Sequence, residues 1–172
     1  MKYQHLLMIG LFLAAFPWFV NAADAPPAAT KATFMVTGLH CPPCTKTVEG
    51  ALAGIKGVNS IIVDWRTKSA KVEFDESILP AQLLALHFAA TPHMMGGDMK
   101  YDGWLALKAP SVKDEANAKK VKETLKVVEG IHQVAVYPAQ GAIGVQFSAK
   151  GKLTTKEVID RLAKAGVEAA TY

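Results

Sequence analysis

The 172-residue sequence repeats itself. Shifted by 73 positions, Gly57-Val58-Asn59-Ser60-Ile61-Ile62-Val63 falls on Gly130-Ile131-His132-Gln133-Val134-Ala135-Val136, and Ala70-Lys71-Val72-Glu73-Phe74 falls on Ile143-Gly144-Val145-Gln146-Phe147. Val48 and Leu52 fall on Val121 and Leu125, and no gap is needed from about residue 32 to 75. A two-residue shift then brings Leu83-Leu84-Ala85-Leu86-His87 onto Val158-Ile159-Asp160-Arg161-Leu162. A self-similarity of this length constrains the fold more than composition does, because both copies must build the same supersecondary unit.

Each copy reads β-α-β-β-α followed by a last strand. In the first copy Thr33–Thr37 is a predicted strand and Cys44–Ile55 an amphipathic helix. Ile61, Val63 and Trp65 alternate on one strand and Ala70, Val72 and Phe74 on the next, with Arg66-Thr67-Lys68 as the turn. Pro80 opens a second helix, a position proline tolerates well, with Leu83, Leu84 and His87 expected on one face. The second copy offers a strand at Trp104–Ala109 and a helix bearing Ala118, Val121, Leu125 and Val128. Strands at Val134–Tyr137 and Ile143–Phe147, a helix from Thr154 to Ala165 and a last strand at Val167–Thr171 follow. Thr154 or Thr155 suits the N-cap. The order predicts an α+β fold of tandem ferredoxin-like βαββαβ sandwiches, at 32–101 and 103–172, joined by a short linker around Lys100–Gly103.

Ahead of the repeats, residues 1–22 read as a secretory signal peptide: Lys2 supplies the positive start, Leu6–Val20 is nearly unbroken apolar sequence, and Val20-Asn21-Ala22 suits the peptidase. The apolar run is short for a membrane span. Cleavage after Ala22 would leave an Ala/Pro-rich leader at 23–31 and place the chain in the periplasm or outside the cell. The 19 Lys+Arg against 15 Asp+Glu include Lys2, so the mature balance is 18 minus 15, or +3. The basic residues are spread rather than clustered, which gives nucleic-acid binding little support.

The two cysteines lie three residues apart in Gly38-Leu39-His40-Cys41-Pro42-Pro43-Cys44, between a strand and a helix N-terminus. The first helical N–H groups and the helix dipole favour thiolate, the form that binds metal. A disulfide closing so small a loop would restrain the unfolded chain little, so the pair reads as functional rather than structural. Two thiolates on one short loop suit the linear or trigonal coordination that copper(I) and mercury(II) accept, whereas zinc normally takes four ligands. Pro42 lacks an N–H and fixes φ, preorganising the thiols while also giving the motif the look of a redox centre.

With Val48, Leu52, Gly57-Val58 and the hairpin that follows, this motif resembles the heavy-metal-associated domain family. That family includes copper chaperones, the periplasmic mercury-binding protein and the N-terminal modules of metal-pumping P-type ATPases. The resemblance covers residues 32 to about 95 with the motif, and 104–172 by fold pattern alone. It implies a carrier that holds its ion on Cys41 and Cys44. The family methionine before x-C is Leu39 here, which the resemblance places beneath the loop. The second copy is degenerate: Asp114 and Asn117 stand where the first has Cys41 and Cys44, and hard oxygen donors do not replace thiolates for a soft ion.

Further candidate ligands surround the motif. His40 adjoins Cys41, and Pro92-His93-Met94-Met95-Gly96-Gly97-Asp98-Met99 holds three of the four mature methionines. The topology sends this segment back toward the cysteines, so His93, Met94, Met95 and Met99 are candidates; the alternative puts Met94 or Met95 in a last strand, filling the core. Lys46, in the first helical turn, is a candidate to neutralise an anionic metal–thiolate centre. His87, on the apolar face of the second helix, and His132 have no expected metal role, and Trp65 and Trp104 read as core or interface aromatics.

The expected function is that of an exported soft-metal-binding protein, copper(I) ahead of mercury(II), which carries or sequesters its ion and hands it over by ligand exchange to a metal-transporting membrane protein or cuproprotein. That is not catalysis, so the chain is not expected to be an enzyme. Two alternatives stay open: a thiol–disulfide oxidoreductase using the CPPC motif, and a protein-interaction module working through the second copy.

Overall fold

In the computed structural model the described residues are 29–172. The predicted signal peptide and residues 23–28 of the leader lie outside them. The elements are β1 (Thr30–Thr37), α1 (Pro42–Ala53), β2 (Val58–Asp64), β3 (Ser69–Phe74), α2 (Ala81–Ala90), β4 (Asp102–Lys108), α3 (Glu115–Lys126), β5 (Ile131–Tyr137), β6 (Ala142–Phe147), α4 (Thr155–Lys164) and β7 (Ala170–Thr171), with a short 3-10 turn at Pro138–Gln140. The sequence offset survives in three dimensions: α1, β2 and β3 recur as α3, β5 and β6 at 73 residues' distance.

Local chemistry sets these limits. In β1, Ala32, Phe34 and Val36 are buried beneath the helices, while Met35 between them is only half-buried, the period-2 pattern of a strand. Cys44, Val48 and Leu52 recur every four residues and form the buried stripe of α1. Thr154 caps α4 with a full capping box: its hydroxyl accepts from Glu157 N–H while the Glu157 carboxylate accepts from Thr154 N–H at 2.8 Å. Pro80 precedes α2, where a backbone N–H would have no partner. His87, expected on the apolar face of α2, is exposed; the buried face is Ala81, Gln82, Leu84, Ala85 and Phe88. Leu84 and Phe88, four residues apart, set the buried stripe of α2, and His87 lies outside it.

The strands form a single antiparallel sheet in the order β2-β3-β1-β4-β6-β5, with β7 paired to β4. This corrects the expectation of two separate sandwiches divided at residue 102. β4 is the last strand of the first unit, whose order β2-β3-β1-β4 is ferredoxin-like, and also the first strand of the second unit. On one side β4 pairs with β6; on the other its first five residues pair with β1, from Thr33↔Ala106 to Thr37↔Asp102. β1 thus occupies most of the edge that the second unit's last strand would use, which leaves β7 two residues long against Leu107 and Lys108. The last strand predicted at Val167–Thr171 is shortened for this reason.

The core is correspondingly one body. Phe34 stacks near Phe74 and Phe88, with ring centroids 6.4 and 5.4 Å apart, and the same buried cluster runs through Leu105 and Leu107 of β4 to Val121, Val145 and Leu162. Polar latches cross between the halves. Buried Gln82 donates to the carbonyls of Ser148 (2.8 Å) and Lys150 (2.7 Å) and accepts from Leu153 N–H (2.9 Å). Glu76 accepts from Thr155 N–H at 2.6 Å. Each such buried group is costly to leave unpaired, so the latches fix one relative placement. Among the described residues no helix is long and apolar enough to cross a membrane.

Candidate metal centre

The loop from β1 into α1 is shaped by Gly38. Its φ of +82° is left-handed, and a Cβ there would meet the Lys100 carbonyl oxygen at 2.3 Å, so the position excludes any side chain. Leu39 turns inward and is buried, as the family resemblance implied for that position. Cys41 is the N-cap of α1, with extended backbone (φ −153°, ψ 162°), and its side chain caps nothing. Pro42 and Pro43 fill the next two positions. Having no N–H, they reduce the donors a cap would have to satisfy. Cys44 closes the first turn, its N–H donating to the Cys41 carbonyl at 3.1 Å.

Both thiols are free, and their sulfurs lie 3.2 Å apart. Cys44 is buried and Cys41 partly exposed, so one sulfur is anchored and the other faces outward. Burial pushes the Cys44 thiol up. The hydrogen bond from Cys41 and the His40 backbone N–H, with the Tyr101 hydroxyl nearby, outweigh it and bring Cys44 down to about 7, from an ordinary 9.0. Cys41 moves the other way, raised chiefly by the hydrogen bond it shares with Cys44. The pair therefore gives up its first proton at the inner sulfur.

The sequence did not single out Tyr101 or Lys68, and both bear on the site. Tyr101 is wholly buried, and among the described residues its hydroxyl has no hydrogen bond of normal geometry. Burial raises its pKa and nearby Cys44 raises it further, which keeps the phenol protonated as a donor toward the sulfurs. Lys68, at the β2–β3 turn, holds a left-handed φ of +53° and reaches across so that its Nζ donates to the Leu39 carbonyl. Its charge favours thiolate at Cys41. This is the neutralising role expected of Lys46, which is exposed on α1 with no ion pair among the described residues. Neither residue carried a local sequence signal, because each arrives from a strand distant in the chain.

The His/Met segment lies where the topology placed it, but in a loop rather than a strand. His93 is buried with both ring nitrogens engaged: Nε2 donates to the Gly38 carbonyl at 3.0 Å, and Nδ1 accepts from Met95 N–H at 3.3 Å. Its ring lies 4.5 Å from Tyr101 and 5.8 Å from His40. His93 is thus a bracket under the loop, and binding an ion would break one of these bonds. His40 is exposed beside Cys41. Met94, Met95 and Met99 are exposed, so none fills the core. Among the described residues no group of three or more His, Cys, Asp or Glu converges as a metal site. An ion gripped by Cys41 and Cys44 would keep open coordination positions.

At the matching helix start of the second unit, Asp114 caps α3, accepting from Asn117 N–H at 2.8 Å and from the Asn117 side-chain amide at 3.1 Å. The two residues that replace the thiols satisfy each other and the helix.

Residues 33–86 match the model of the heavy-metal-associated domain. This part of the chain belongs to that family. Among curated proteins, the copper-transporting ATPase 1 of Rattus norvegicus is 33% identical over 62 residues, spanning 36% of this chain and 4% of the ATPase. The probable copper-exporting P-type ATPase of Archaeoglobus fulgidus is 36% identical over 58 residues, 34% of this chain and 7% of that protein. The chain therefore spans only a small fraction of these relatives. Among solved structures, oxidized MerP from Ralstonia metallidurans CH34 is 28% identical, covering 45% of this chain and 97% of MerP with a TM-score of 0.38. The heavy-metal-associated match stops before β4, so Tyr101 and the Met-bearing loop lie beyond it.

Proposed function

We propose that this protein is an exported carrier of a soft metal ion, copper(I) ahead of mercury(II), which it holds on Cys41 and Cys44 and passes on by ligand exchange. The observation that carries this reading is the pair of free sulfurs 3.2 Å apart at an uncapped helix start, one anchored and ionising at about 7, the other facing outward. An incoming thiolate or thioether joins the ion at an open position before Cys41 leaves, so no bare ion is released. The copper-transporting ATPases among the relatives support a metal-transporting membrane protein as donor or recipient. Residues 1–22 support export.

The oxidoreductase alternative is disfavoured by the order of the two thiols. Attack on a substrate disulfide needs an accessible thiolate, and here the more acidic sulfur is the buried Cys44 while accessible Cys41 is the less acidic. Nothing in the site offers a group to activate a substrate bond, so the protein is read as a binding module.

The test is copper(I) competition against a chromophoric chelator under anaerobic conditions. Against a chelator strong enough to outcompete thioethers, the reduced protein is expected to hold one equivalent at the dithiolate, and Cys41→Ser with Cys44→Ser to lose it. Equal retention by the serine variant, or insulin reduction at a thioredoxin-like rate by the parent, would overturn the proposal.

A further inference from the structure

The methionines of the 94–99 loop are not accounted for by the dithiolate. Met94, Met95 and Met99 are 47%, 60% and 39% exposed, three large apolar side chains turned to solvent within six residues. None of the three contributes to the core, so packing does not account for their presence.

The loop is built and pinned. At its first foot, His93 donates to the Gly38 carbonyl and accepts from the Met95 N–H, and Gly96 N–H closes a turn onto the His93 carbonyl at 2.9 Å. At its second foot, the Lys100 carbonyl packs so tightly on Gly38 that no Cβ fits there. The two feet also stack on each other through the rings of His93 and Tyr101. Gly96 and Gly97, both at φ +67°, bend the chain between them. Met94 and Met99 therefore rise from adjacent feet, and Met95 from the turn beside them. The two glycines fold the six residues back on themselves, so the three side chains share one short loop, and methionine's three rotatable bonds let them turn toward a common ion. Both feet rest on Gly38, three residues before Cys41.

Thioethers are soft, uncharged donors that take no proton at ordinary pH. They suit copper(I) and its analogue silver(I), and they discriminate against hard or borderline divalent ions. We propose that Met94, Met95 and Met99 form a second soft-metal site, a thioether set for a monovalent soft ion, seated beside Cys41 and Cys44. It goes beyond the dithiolate and binds whether or not the two cysteines do. Its position, with both feet on Gly38, lets it hold an ion beside the dithiolate and pass it across to Cys41. In that step one thioether bond to the ion breaks as a sulfur–metal bond to the Cys41 thiolate forms; no electron moves, and no proton is taken up or released.

The test uses the full mature chain without the dithiolate, in two forms: Cys41→Ser with Cys44→Ser, and wild-type protein oxidised to the Cys41–Cys44 disulfide. Silver(I) is titrated against methyl-labelled methionine, read by NMR. Both forms are expected to bind one silver(I), shifting the Met94, Met95 and Met99 methyls and leaving Met35, on β1, unmoved; zinc(II) should shift none. Changing Met94, Met95 and Met99 to Leu in either form should reduce silver(I) affinity at least tenfold. The proposal is overturned if neither form binds silver(I) more tightly than its leucine counterpart, or if the Met35 methyl responds equally. Failure here leaves the dithiolate reading standing, because neither form contains a free dithiol.

Discussion

Two helix starts, built from the same position of a repeated unit, have opposite chemistry. At α3, Asp114 and Asn117 satisfy the backbone and each other. At α1, Cys41 occupies the same N-cap and caps nothing. The first arrangement is closed and spends its polar groups on stability. The second leaves the positive end of a helix facing two sulfurs, with Tyr101 and Lys68 aimed at the loop. A binding site here is a helix terminus whose own cap has been given up, at little cost because Pro42 and Pro43 bring no N–H for a cap to satisfy.

The largest effect should come from converting one start into the other. Cys41→Asp with Cys44→Asn, copying the second unit, is expected to weaken copper(I) retention by about a hundredfold or more, while Cys41→Asp alone raises the melting midpoint because the new aspartate caps α1 and buried Cys44 is kept. A Cys41→Asp variant that gains no stability would break the equivalence of the two N-caps. In the reverse sense, Asp114→Ala should destabilise the protein by about 1 kcal/mol in chemical denaturation and leave copper(I) affinity unchanged. A change in affinity would mean the second helix start is not inert.

The pH dependence sharpens the contrast within the thiol pair. With Cys44 lowered to about 7 and Cys41 raised above 9.0, binding below pH 7 displaces about two protons and binding between the two values about one. Affinity therefore rises with pH throughout, and its logarithm should lose about half its slope on passing pH 7. A slope unchanged from pH 6 to 8 would contradict the split. The smallest effect is expected from Lys68→Met. An exposed charge near a site contributes little, so copper(I) affinity should fall by only about two- to fivefold, and less at high salt. Lys46→Met should change nothing.

How much of this was legible follows from range. Cys41, Pro42 and Cys44 are local in sequence and their joint chemistry was read directly. The 73-residue offset carried α1, β2 and β3 onto their counterparts because each is set by its own periodicity. What failed was pairing. No pattern in Asp102–Lys108 tells a strand hydrogen-bonded on both sides by different units from one closing a single unit, since a central strand is apolar either way. Tyr101 and Lys68 were missed for the same reason: their meeting with residues 39–44 is made by the register of β1 against β3 and β4. His93 was recognised as close to the motif, but residue type cannot reveal that both its nitrogens already hold hydrogen bonds.

The strand held in common has a mechanical result. Tandem modules on a flexible tether can each swivel to meet a client, and their orientation is settled only at the encounter. Here the backbone of β4 is stitched to β1 on one flank and β6 on the other, so the thiol bend always points the same way relative to the cysteine-free half. A molecule that engages both the sulfurs and that half therefore has to match a spacing that is decided before contact.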